Sequence, residues 1–136
     1  MTALTRFFFR SAVHRHSTWS TVQWWESRRP AYNVAVGGAG LVSLGVVTGV
    51  SALPPHAAPM SVPWALPLAY GLVANLCYSL GAPAEIALRR WIGDGASTAG
   101  AAVFRYGFVF SIGLTLFPAA VAVLDKLARI AWLVLR

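Results

Sequence analysis

Acidic side chains are scarce in this sequence: four, against eleven lysines and arginines. Charge of either sign makes up only 11% of the chain, where a water-soluble domain carries roughly a quarter, so too little is present to keep a globular surface wet. The single cysteine, Cys77, excludes an internal disulfide and a cysteine zinc site, and inside an apolar run it reads as a small hydrophobe. His14, His16 and His56 all lie outside the long apolar runs, so a haem or chlorophyll within a bilayer would find no histidine ligand there. Nucleophile elbow, Walker loop, His-x-x-x-His and paired carboxylates are also missing. These gaps point away from an enzyme, and no cofactor or metal ligand set is found in the apolar runs.

What the chain has instead is long apolar runs. Residues 31–53 carry no formal charge over 23 positions, enough for a helix to cross a hydrocarbon core of about 30 Å. The proline-rich stretch PPHAAPMSVP breaks that helix. A second run covers 64–83 and closes with EIALRRW; a third covers 102–124, with Arg105 near its start. The expected fold is an all-α integral membrane protein of three transmembrane helices within 31–124. It is flanked by a basic, aromatic inner-leaflet segment (1–30) and an amphipathic surface helix (125–136).

The basic residues sit at the ends of these runs, not interleaved with aromatics on one polar module, which argues against nucleic acid as a partner. Arg6, Arg10, Arg15, Arg28, Arg29, Arg89, Arg90 and, by snorkelling, Arg105 collect on one side; the loop after the first span has no Lys or Arg. The positive-inside rule then puts the N-terminus in the cytoplasm and the C-terminus outside a bacterial inner membrane. Trp24, Trp25, Trp91 and Tyr106 are expected at the inner boundary, and Trp64 at the outer one. The first thirty residues do not read as a secretory signal, because FFF is too short an apolar core. They suit an inner-leaflet segment whose arginines meet anionic lipid. A mitochondrial presequence, and with it the mitochondrial inner membrane, is the alternative. In 125–136, Leu127, Ala128, Ala131 and Val134 recur at helical spacing opposite Lys126, Arg129 and Arg136, which predicts a helix lying on the outer surface or docked on a partner.

The first span is rich in small residues. At 100° per residue Gly38, Gly45, Gly49 and Ala52 align, and Gly45 and Gly49 form a GxxxG. In lipid, helices associate through close backbone contact, which such a strip permits, either within the chain or with another protein. Gly107, Ser111 and Thr115 form a second small seam in the third span, and Pro118 is expected to kink it. In the second span Gly71, Asn75, Tyr78, Ala82 and Glu85 share one face. Asn75 near mid-membrane needs a polar partner, so Asn75 and Tyr78 are read as interhelical hydrogen-bonding residues. Glu85 falls at the depth of Arg28, Arg29, Arg89 and Arg105, an inner-boundary charge cluster. There it can pair with Arg89 along its own helix or with Arg105 between helices.

Two stretches, ESRRPAYN with Glu26, Arg29, Tyr32 and Asn33, and NLCYSLGAPAE from Asn75 to Glu85, resemble small bacterial multi-spanning membrane proteins. That resemblance covers residues 26–85. It implies a membrane fold and lends no mechanism. The expected role is a small non-catalytic accessory or assembly subunit of a larger membrane complex, with the bilayer and other membrane subunits as partners; a respiratory or photosynthetic assembly is one host that fits. The alternatives are a homo-oligomeric carrier or channel, and a membrane-bound lipid-binding protein or enzyme.

Overall fold

The computed structural model describes residues 17–54, 57, 60–93 and 99–135; the expectations placed on residues 1–16 lie outside these. Among the described residues the chain is helical throughout, without strands. The helices are α1 (Thr18–Glu26), α2 (Arg29–Ala52), α3 (Ala65–Ser79), α4 (Gly81–Ile92) and α5 (Ala99–Val134). They line up as three rods, Thr18–Ala52, Ala65–Ile92 and Gly100–Val134, each long and apolar enough to cross a membrane. Their outward faces carry Leu41, Leu72, Leu76, Val109 and Phe110, all more than half exposed. A surface of that kind is at home in lipid and not in water.

Prolines set the corners. Pro30 follows the last residue of α1, Glu26, by four positions, and Pro83 follows the last residue of α3, Ser79, by the same interval. A proline has no N–H for the carbonyl four residues back, and its ring presses on that carbonyl, so an α-helix ends or bends there. Pro30 then occupies the first turn of α2, where no N–H is required. Ser17 starts α1 by accepting the Ser20 backbone N–H at 3.1 Å. Pro118, by contrast, is held inside α5.

Two expectations about the ends need revising. Instead of stopping near residue 124 and lying down as a separate surface helix, α5 runs unbroken for 36 residues, about 54 Å at ~1.5 Å per residue. Nothing at Leu124 to Lys126 breaks a helix, and the pair Asp125–Arg129 at 2.7 Å supports it one turn apart. The rod therefore outruns a ~30 Å core by several turns. Trp24 and Trp25, expected among the headgroups, are only 9% and 4% exposed. Here α1 packs against α4, and both indoles lie in the protein interior.

The central packing is α2 against α5. Tyr32, Val36 and Ser43 on α2, and Thr115 and Ala119 on α5, are buried. Gly40 faces Thr115 in this seam, where an added Cβ would stand in ordinary contact, 3.8 Å from the Thr115 methyl. At the far end Lys126 donates to the Leu53 carbonyl, tying the C-terminus of α2 to α5. The expected strip is placed differently: Cβ atoms added at Gly38, Gly45, Gly49 or Gly107 would meet nothing within 4 Å. Ala119→Leu should therefore overpack the buried seam and cost about 1–3 kcal/mol, whereas Gly45→Leu should leave the stability of the isolated chain within about 0.5 kcal/mol. Thermal melting in detergent compares the two; equal losses would contradict this packing.

Candidate functional site

At the arginine-rich end the helices converge on one carboxylate. Glu85 of α4 has no exposed surface. Its Oε2 accepts the indole N–H of Trp25 at 2.9 Å, and its Oε1 accepts Arg89 Nη2 at 2.6 Å. A buried carboxylate is tolerable only when paired and hydrogen-bonded. The Arg89 bond lies within α4, while the indole bond joins α1 to α4. Gly100 at the start of α5 makes this possible, because a Cβ there would overlap the Glu85 carboxylate. Gly81 does the same for the indole: a Cβ would run into the six-membered ring of Trp25. Three helices thus meet at Glu85, and two glycines supply the space.

An aromatic cluster surrounds the carboxylate. Trp25 meets Phe104 of α5 edge-on at 5.6 Å between centroids and Tyr78 of α3 at 5.5 Å; Tyr32 of α2 lies 4.5 Å from Tyr78. Such edge-to-face pairs add about 0.5–1.5 kcal/mol each beyond their buried area. The polar tips are satisfied as well. Tyr78 donates its hydroxyl to the Trp25 carbonyl at 2.6 Å, and Tyr32 donates to Ser111 Oγ at 3.0 Å. Arg28 stacks over Trp24, 3.8 Å from guanidinium carbon to ring centroid, and donates to the Trp24 carbonyl. Arg29 makes a two-pronged pair with Glu26 at 2.7 and 2.8 Å and reaches α3 at Ser79 Oγ, 3.1 Å.

The charge cluster expected from sequence is thereby divided. Arg89 holds Glu85, Arg28 and Arg29 serve α1 and its junction to α3, and Arg105 sits on the exposed side of α5. The interhelical bond to Glu85 comes from Trp25, a residue the sequence assigned to the membrane boundary. Of the two residues read as interhelical, Tyr78 bonds across to α1. Asn75 donates to the Gly71 carbonyl of its own helix at 3.1 Å and accepts from Arg29 at the longer distance of 3.5 Å. The i, i+4, i+7 face of the second span does hold Tyr78, Ala82 and Glu85 together in the interior. No local signal marks Gly100 or Phe104, since their importance depends on what α1 and α4 bring to them.

Beyond this knot the second span leans away. Its α4 half packs on α1 and α5, but α3 touches α2 at few points. The gap is a groove of about 700 Å³, floored by Leu114, Thr115 and Pro118 of α5 and walled by α2 and α3. Most of its lining is apolar. Its polar members are Asn33, Asn75 and Tyr32 toward the arginine-rich end, with Ser43, Ser61, Tyr70 and Thr115 farther along. Tyr70 and Thr115 hydroxyls share a 2.5 Å hydrogen bond, and Thr115 donates to the Ser111 carbonyl at 2.6 Å. Among the described residues, no three His, Cys, Asp or Glu side chains gather to hold a metal ion.

Trp25→Phe keeps one aromatic ring, removes the N–H that Glu85 accepts and trims part of the buried indole. It should cost about 1.5–3 kcal/mol, the range for a hydrogen bond to a charged group. Glu85→Gln removes the charge that the Trp25 indole and Arg89 both bind and should cost about 1.5–3 kcal/mol, again the range for a hydrogen bond to a charged group. The double variant should lose less than the sum of the two, because both act on one bond. Denaturation in detergent measures all three; strict additivity would remove the coupling. Compared with protein-family models, curated proteins and solved structures, the chain matches none.

Proposed function

We propose that this chain is a small, non-catalytic accessory or assembly subunit of a larger membrane complex. The observation that carries the reading is the open small-residue strip on α2: Gly38, Gly45 and Gly49 have no neighbour within 4 Å of an added Cβ. A helix face that admits close backbone contact, and is not used by the described residues, suits a second helix from a partner. The groups with acid–base chemistry support the same reading. Glu85 is enclosed by an indole and a guanidinium, and Arg28 and Arg29 brace α1, so these side chains are engaged in holding helices together. A respiratory or photosynthetic assembly remains a suitable host on sequence grounds. A homo-oligomeric carrier or channel built through the same strip is the competing reading.

Affinity purification of the full chain from its native membrane in mild detergent, followed by mass spectrometry, separates the two. Stoichiometric recovery of other membrane subunits is the expected result, and a lone homo-oligomer would favour the carrier. Gly45→Leu and Gly49→Leu should each reduce co-purification at least several-fold while leaving the melting temperature of the isolated chain unchanged. Loss of stability in place of loss of partners would overturn the assignment of the strip.

The proposed location is a bacterial inner membrane with the arginine-rich end in the cytoplasm. It is supported by the described Arg28, Arg29, Arg89, Arg90 and Arg105 at one end, with Lys126 and Arg129 at the other. Compartment reporters fused at residues 1 and 136 should read cytoplasmic and external respectively. The same compartment at both ends would mean an even number of spans.

A further inference from the structure

None of the residues lining the groove between α2 and α3 is charged, and most of the lining is apolar. An ion there would leave water without meeting a counter-charge, so the groove suits an uncharged occupant. Its rims, Leu41 on α2 and Leu66 on α3, are 74% and 60% exposed, and the opening faces sideways between the spans toward hydrocarbon. From Asn33 to Val47 the groove follows fourteen residues of α2, about 21 Å at ~1.5 Å each. Its volume is about 700 Å³, whereas a helix ~10 Å across would fill roughly 1,600 Å³ over that length. The space fits a thin, flexible chain and not another helix.

One polar side chain of this lining is left over. Ser43 is 5% exposed, lines the groove and makes no side-chain hydrogen bond to a described residue. Thr48 and Ser79, by contrast, donate to the carbonyl one turn back at 2.8 and 2.9 Å. Across the groove, Tyr70 offers the complement. The Thr115 hydroxyl has one proton and gives it to the Ser111 carbonyl, so in its 2.5 Å contact with Tyr70 it accepts. The Tyr70 oxygen has then used its proton and can only accept. Ser43 on one wall and Tyr70 on the other thus leave a donor and an acceptor for the occupant. The group that answers both carries an oxygen and a proton on it, a hydroxyl. Depth narrows the class further. Ser43 stands nine residues before Ala52, the end of α2, about 14 Å at ~1.5 Å each, close to the middle of a ~30 Å core. A phosphate is too costly to bring to that depth, whereas a hydrogen-bonded hydroxyl is not.

We infer that the α2–α3 groove binds an uncharged lipid alcohol, with its hydroxyl between Ser43 and Tyr70. The chain lies toward the arginine-rich end. From Ser43 the groove continues ten residues to Asn33, about 15 Å, but only four to Val47, about 6 Å, where Met60 to Pro63 line its other end. Along the longer arm Gly37 on α2 and Gly71 on α3 leave room for it: a Cβ added at either would meet nothing within 4 Å. Asn75, at the end of that arm, is already engaged with the Gly71 carbonyl and Arg29. Gly38, Gly45 and Gly49 do not line the groove, so this site is independent of the proposed partner contact.

The test uses the full chain in phosphatidylcholine nanodiscs doped with equal amounts of oleyl alcohol and its methyl ether, with native mass spectrometry counting what stays bound. One oleyl alcohol per chain is expected, retained about fivefold over the ether, which lacks the proton that Tyr70 accepts; about fivefold is what one net hydrogen bond provides. Ser43→Ala removes the donor and should lower retention of the alcohol by about the same factor. Gly37→Phe should abolish retention, since Gly37 lines the groove and has open space where its side chain would begin. Gly113→Phe, equally open but not lining the groove, should keep it. If circular dichroism shows that Gly37→Phe has not folded, Ser43→Ala decides the matter alone. Equal retention of alcohol and ether would overturn the inference, as would unchanged retention in Ser43→Ala, or equal retention in Gly37→Phe and Gly113→Phe. Phosphatidylcholine held in place of the alcohol would overturn it too, and so would a dimer that Gly37→Phe dissociates without change in bound alcohol.

Discussion

The fold depends on making one carboxylate acceptable in a nearly dry interior. Glu85 is fully enclosed, and the Trp25 indole and the Arg89 guanidinium both reach it, which offsets the cost of burying its charge. Each requirement reaches into a different part of the chain. The indole must come from α1, so α1 has to fold onto α4; Gly81 has to leave room for the ring, and Gly100 for the carboxylate. A hydrophobic residue at position 85 could fill the space, but it would not fix which indole edge points inward or how closely α5 approaches. The polar bond therefore supplies register as well as cohesion, which apolar packing in lipid supplies weakly.

Pro30 and Pro83 fall where the regular hydrogen bonding of the first and second spans is interrupted, between α1 and α2 and between α3 and α4. Before the first interruption α1 packs on α4, and after the second α4 packs on α5, while α3 touches α2 at few points.

This asymmetry gives the molecule distinct faces. The α2–α5 contact and the knot around Glu85 are internal. The glycines Gly38, Gly45 and Gly49 of α2 meet none of the described residues, and the groove between α2 and α3 lies on a different face of the same helix.

Three apolar runs, the charge asymmetry and the proline breaks were legible in the sequence, because the length of an uncharged segment and the chemistry of proline are local properties. The common face of Tyr78, Ala82 and Glu85 was legible too, since helical periodicity alone places them together. The pair of Glu85 with Arg89 one turn along its own helix was legible as well; the bond to Glu85 from α1 was not. Arg105 and Trp25 both lie at a plausible depth in the chain order, and only the packing of α1 on α4 chooses the indole. The glycines show the same limit: GxxxG singles out Gly45 and Gly49, yet the close approaches are at Gly81 and Gly100. Spacing records that a backbone can be approached; which backbone actually is approached depends on where the neighbouring helix runs. The continuous α5 makes the last case, since amphipathic spacing in 125–136 fits a helix at the surface and a prolonged rod equally well, and only the unbroken backbone hydrogen bonding decides between them.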